Sequence, residues 1–143
     1  MGRTEPLPNP AGWPSGHVDG LVRVLVVDDD ADILYVMDRA LRTAGFVVTS
    51  LRSGEDAARW LAAGHAVDVL VVDHLLGDCT GAEVAAVARA HRPDCRTLLT
   101  TGASGAFDLE DAPGISAVLF KPFGVGELVR AVHNLRRAPD RAA

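Results

Sequence analysis

Residues 22–30 read VRVLVVDDD: an apolar, β-branched run with one arginine in it, closed by three consecutive aspartates. So short and continuous a run is the pattern of a strand covered by helices on both faces of a parallel sheet. Working outward, Val22–Val27 is the first of a series, followed by Phe46–Ser50, Val67–Val72, Arg96–Thr100 and Ala117–Phe120, with helix-sized stretches between. Five strands alternating with helices predict an α/β domain: a doubly wound, five-stranded parallel sheet with helices on both faces.

The intervening segments fit that reading. Ile33, Val36, Met37, Ala40 and Leu41 form one stripe of a first helix, with Asp30 as N-cap and Gly45 as stop. A second helix begins near Ser53, keeps Ala57, Trp60 and Leu61 in phase and ends before Gly64; a third spans Ala82–His91, stopped by Pro93. The last carries Val125, Leu128, Val132 and Leu135 on one side and ends in Arg136 and Arg137, where cations suit the helix dipole. Between the fourth and fifth strands, Gly102, Gly105, Pro113 and Gly114 leave room for about two turns, so a short or mobile fourth helix is expected.

The chain has 143 residues, 48% apolar and 23% charged, which suits one domain; with aromatics at 5% its core must be aliphatic. A net charge of −5 argues against a nucleic-acid partner, whose phosphates call for excess Lys and Arg. Cys79 and Cys95 lack metal-ligand spacing and read as free thiols of a reducing compartment. MGRTEPLPNP lacks a signal-peptide core and no apolar run reaches membrane-span length, so the expectation is a cytoplasmic protein with no membrane partner. Residues 1–20, with Pro6, Pro8, Pro10 and Pro14, read as a disordered lead-in whose one candidate anchor is Trp13; 21–137 is the folded domain and 138–143 a short tail.

An open parallel sheet binds its ligand beyond the carboxyl ends of its strands. There the sequence places Asp28, Asp29 and Asp30 after the first strand, Asp73 after the third, and Thr100 and Thr101 after the fourth. Lys121, the sole lysine beside 13 arginines, follows the fifth and precedes Pro122. Clustered carboxylates repel one another unless a cation lies between them, and hard oxygen ligands with room for water and phosphate oxygens favour Mg2+. Asp73 is then free to attack phosphorus as a covalent nucleophile, with the ion and Lys121 neutralising the transferring group.

RVLVVDDDADIL, VLVVDHLLGDCTGAEV, LLTTGAS and LFKPF, in this order at four strand ends, resemble the receiver domains of two-component response regulators. The resemblance covers about residues 22–137. It implies the flavodoxin-like strand order 2-1-3-4-5 and a stand-alone phosphorelay module in which Asp73 accepts a phosphoryl group from a sensor histidine kinase or histidine phosphotransfer protein. By position it implies Asp29 and Asp73 as direct Mg2+ ligands, Asp28 as a ligand through water, and the Leu75 backbone carbonyl as a further ligand. Thr101 matches the hydroxyl that meets the phosphoryl group, Gly102 the small residue beside it, and Lys121 the lysine that pairs with a phosphoryl oxygen. Gly81 matches the turn glycine opening the third helix, and Pro122 the proline that follows a cis peptide bond.

Such a module is not an enzyme beyond its own phosphoryl transfer and autodephosphorylation. Only six residues follow Arg137, too few for a DNA-binding output domain, so a monomer or weak dimer is expected to signal by protein contacts. The face of the fourth helix, fifth strand and last helix is the expected surface, toward a downstream protein that the sequence does not name.

Three features depart from the family. Gly77 stands four residues after Asp73 where proline is usual, which predicts a looser loop. Val118 stands three residues before Lys121 where many members carry a switch aromatic, and the short fourth helix suggests ordering of that segment as the response. The alternatives are a receiver that docks without phosphorylation and a haloacid dehalogenase-like phosphatase read from Asp28-x-Asp30; Asp32 is the wrong residue for the latter and the chain is short for it. No G-x-G-x-x-G follows the first strand, which weighs against a dinucleotide site. His74 reads as a solvated loop side chain, and His17, His65, His91 and His133 as scattered surface residues.

Overall fold

A computed structural model describes residues 21–102 and 112–137. β1 (Arg23–Val27), β2 (Val47–Leu51), β3 (Val69–Asp73), β4 (Arg96–Thr101) and β5 (Ala117–Phe120) form one sheet in the order β2-β1-β3-β4-β5, every neighbouring pair parallel. The helices among the described residues are α1 (Ala31–Thr43), α2 (Gly54–Ala62), α3 (Gly81–His91) and α4 (Val125–Arg137). The expected architecture and strand order are both borne out. The short fourth helix, the lead-in and the tail of the sequence reading lie outside the described residues.

Alternation along each strand divides the aliphatic side chains between two cores. Val24, Val26, Val69, Val71 and Leu98 pack with Met37 and Leu41 of α1 and Leu128 and Val132 of α4. Leu25, Val27, Leu70, Val72 and Leu99 take the other face, with Ala57 and Leu61 of α2 and Val84, Ala85 and Ala88 of α3. Because both faces are covered, the strands need no polar alternation, which is why they read as continuous apolar runs.

Helix ends are set locally. The Asp30 carboxylate accepts from the Asp32 and Ile33 amides at the start of α1, Ser53 caps α2 by accepting from Asp56 N, and Thr80 and Glu83 form a reciprocal capping box on α3. Arg92, held extended ahead of Pro93, ends α3.

Two apolar stripes need correction. In α1 the buried residues are Leu34, Met37 and Leu41, while Val36 is 51% exposed; in α4 Leu128, Val132 and Leu135 are buried, while Val125 is 52% exposed. Ile33–Val36–Ala40 and Leu34–Met37–Leu41 both satisfy helical spacing, and a one-residue choice rotates the face by about 100°.

Candidate functional site

Parallel strands bring all their carboxyl ends to one edge, and their register decides which residues meet there. Val27 of β1 pairs with Val72 of β3, so Asp28 and Asp73 leave adjacent strands side by side. Thr101 pairs with Phe120, and the next residue, Lys121, donates its N–H to Thr101 O at 2.8 Å. Lys121 Nζ lies 3.3 Å from Asp73 Oδ1 and 3.4 Å from Asp28 Oδ2, and the bond to Pro122 is cis. Carboxylate oxygens of Asp28, Asp29 and Asp73 all lie within 4.8 Å of one another.

These groups sit in different surroundings. Asp28 is fully buried, with Oδ1 accepting from Asp30 N at 2.9 Å. Burial, reinforced by the Asp73 charge, pushes its carboxyl above the ordinary value despite the Asp30 amide and the Lys121 ammonium. Burial pulls Lys121 the other way, but the Asp28 and Asp73 carboxylates outweigh it and hold the ammonium above its ordinary value. Asp73 is half-buried, its Oδ1 accepting from His74 N at 3.0 Å, and Asp29 is exposed. Three carboxylates beside the Lys121 ammonium, with the Arg52 guanidinium reaching the Asp29 carbonyl, leave an excess of negative charge. The all-oxygen donor set, open to water at Asp29, fits Mg2+.

The loop after β3 is better tied than Gly77 suggests. Gly77 has φ +87°, a conformation closed to proline. Around it Leu75 bridges Thr80, Leu76 N donates to Cys79 O, and the Asp78 carboxylate accepts from the Gly54 and Glu55 amides of α2. The expectation of a looser loop is corrected accordingly. At its end Gly81 is demanded by space, since a Cβ there would run into the Asp73 carbonyl oxygen.

His74 also departs from expectation. It is half-buried, with Nδ1 3.5 Å from the hydroxyl of the buried Thr101. The pairing of Asp73 with Thr100 puts residues 74 and 101 next to each other, a relation visible only once the register is known. Val118, paired with Leu99, carries no ring; the aromatic that β5 pairs with Thr101 is Phe120, which is exposed. Asp78, whose grip on α2 spans two loops, was missed altogether. Asp30 Oδ1 accepts from the amides of α1 and Asp30 lies outside the cluster of Asp28, Asp29 and Asp73, so the Asp28-x-Asp30 pair does not form the centre of the site.

The remaining groups lie away from this edge. His65 stacks on Trp60, His91 is exposed, and His133 is half-buried against Phe46 rather than a free surface residue; His17 lies outside the described residues. Cys79 and Cys95 are free thiols, and no helix among the described residues is long and apolar enough to cross a membrane.

A doubly wound sheet with acids and a lysine gathered at one carboxyl edge defines a flavodoxin-like domain with an acidic site where such sheets bind their ligands. The chain belongs to the response regulator receiver domain family, which it matches over residues 24–133. Receiver domains are signalling modules of two-component systems that interact with histidine kinases and bind Mg2+ at an acidic site. A response regulator receiver protein from Sinorhizobium medicae WSM419 matches with a TM-score of 0.76 and 32% identity, covering 82% of this chain and 96% of that one. The response regulator TrrA of Thermotoga maritima, solved in complex with Mg2+–BeF, matches with a TM-score of 0.72 and 26% identity, covering 80% and 99%. The transcriptional regulatory protein PrrA of Mycobacterium tuberculosis is 36% identical over 119 residues, which are 80% of this chain and 50% of PrrA, so the chain spans about half of that relative.

Proposed function

We propose that the chain is a phosphoacceptor whose Asp73 takes a phosphoryl group from a histidine kinase or histidine phosphotransfer protein in the presence of Mg2+. The observation that carries this reading is one ammonium, Lys121 Nζ, within 3.4 Å of both Asp28 and Asp73, with the Asp29 carboxylate alongside. Asp29, Asp73 and the Leu75 carbonyl would hold Mg2+ directly and Asp28 through water; the choice of ion is supported by TrrA having been solved with Mg2+–BeF. When bound, the ion supplies positive charge that offsets the phosphoryl oxygens.

The rest falls to this chain's own residues. An Asp73 carboxylate oxygen bonds to phosphorus as the donor's P–N bond breaks, and the electron pair stays on the donor imidazole, which takes up a proton. Lys121 pairs with one phosphoryl oxygen, and the Thr101 hydroxyl donates to another. Readout passes through protein contacts of β5 and α4 toward an unidentified partner, in keeping with the net charge of −5.

Incubation with acetyl phosphate, with and without Mg2+, followed by intact-protein mass measurement, tests the assignment. The wild type is expected to gain a single Mg2+-dependent phosphoryl adduct and Asp73→Asn to gain none while keeping its fold. An equal adduct on Asp73→Asn overturns the assignment. No adduct on a wild type that does bind Mg2+ leaves the docking receiver that works without phosphorylation.

A further inference from the structure

Asp78 lies five residues past Asp73 and is exposed, yet both its oxygens are engaged by a different element. Oδ1 accepts from Gly54 N at 3.1 Å and Oδ2 from Glu55 N at 2.9 Å. These amides are orphan donors at the start of α2, whose own N-cap, Ser53, satisfies only Asp56 N among them. The α2 terminus is therefore capped jointly, by its own serine and by a carboxylate from a remote loop. The Glu55 and Gly54 amides hold the Asp78 carboxyl below its ordinary value. Cys79 packs against the same turn: a Cβ on Gly54 would run into its sulfur.

A loop with glycine at 77 loses much conformational freedom when it settles, and two charge-assisted bonds to a helix end offset that loss. Leu75, whose carbonyl the metal reading uses, lies between Asp73 and this anchor. Asp78 itself is not among the clustered carboxylates. We infer that Asp78 is a positioning residue for the cation site: by clasping α2 it holds the β3–α3 loop, and Leu75 within it, in the conformation that receives Mg2+. The inference rests on the reading of Asp28, Asp29 and Asp73 as a Mg2+ site.

The test is calorimetric titration of Mg2+ into wild type, Asp78→Ala, Asp78→Asn and Ser53→Ala, with amide NMR spectra of each following Gly54, Glu55, Leu75 and Gly77. Ser53→Ala removes the other cap of α2 and leaves the loop untouched, so it separates a frayed helix from a lost anchor. Asp78→Ala is expected to weaken Mg2+ binding about tenfold and to shift the Leu75 and Gly77 amides, while Ser53→Ala stays within about twofold of wild type. Asp78→Asn keeps one acceptor oxygen and should fall between; should the alanine variant not fold, it carries the comparison. Wild-type affinity in the Asp78 variants, or an equal loss in Ser53→Ala, overturns the inference. A wild type that binds no Mg2+ overturns the metal reading beneath it, and this shows before any variant is compared.

Discussion

The two ends of the sheet hold the same kinds of charge in opposite proportions. At the amino-terminal edge Asp68 is set among arginines. Its carboxylate accepts from Arg23 N at 2.7 Å, and its carbonyl accepts from Arg96 N at 3.0 Å. Burial pulls the nearby Arg136 guanidinium below its ordinary value, and the Asp68 charge pulls it back. At the carboxyl-terminal edge Asp28 and Asp73 share one lysine, with the Asp29 carboxylate beside them and the Arg52 guanidinium on the Asp29 carbonyl. The first edge answers its charges within the chain and acts as a joint; the second is left short of positive charge. In a parallel sheet the uncompensated edge, more than the mere presence of ionisable groups, marks the site.

The comparison breaks hardest at Lys121, whose ammonium lies within 3.4 Å of both Asp28 and Asp73. Lys121→Gln should slow adduct formation from acetyl phosphate about a hundredfold, or about 2.7 kcal/mol, because a preorganised positive group no longer meets the developing charge. Mg2+ should still bind, since the carboxylates remain. Time-resolved mass measurement reads the first and calorimetry the second; a rate within about threefold of wild type would detach Lys121 from the reaction.

The opposite edge gives a smaller effect of a different kind. Asp68→Asn keeps an oxygen for Arg23 N but leaves Arg136, 5% exposed, without its acid. A destabilisation of about 2 kcal/mol in urea unfolding is expected, with Mg2+ affinity unchanged. A change in Mg2+ affinity would show that the two edges are coupled through the sheet.

Much of this was legible in the sequence, for physical reasons that differ by element. Strands buried on both faces must be aliphatic throughout, so RVLVV and VDVLVV announced themselves, and their ends delivered Asp28, Asp73 and Lys121 to one edge. The face of α1 was not legible, because two adjacent sets of residues satisfy the same spacing and only packing chooses Leu34 over Val36. The Thr101–His74 contact and the Asp78 grip on α2 join residues 23 to 27 positions apart. Such pairings depend on register and loop path, and no local pattern encodes them. Gly77 misled for the same reason: its freedom is local, while the anchors that remove it come from elsewhere.

Asp28 sharpens the comparison, since neutralising an acid there should have the sign opposite to that at Asp68. Its folded carboxyl titrates above the ordinary 3.8, so the folded state holds a proton that the unfolded chain has already released. Its contribution to stability is therefore intact below the ordinary value and is lost as pH rises through the folded one, above which the metal-free protein bears the cost of a buried charge. Asp28→Asn retains an oxygen for the Asp30 amide and removes that charge. It should stabilise the metal-free protein by about 1 kcal/mol, a rise of a few degrees in Tm, and flatten this part of the pH dependence. Mg2+ should stabilise the wild type more at neutral pH than in acid, where protons compete for the carboxylates, and should stabilise the variant less than the wild type but still measurably, since the direct ligands remain. Thermal melts in EDTA and in Mg2+ across pH measure all of this. A lower Tm for metal-free Asp28→Asn would mean that attraction to Lys121 already outweighs burial and Asp73, and that the acidic edge, like the other, is neutralised from within.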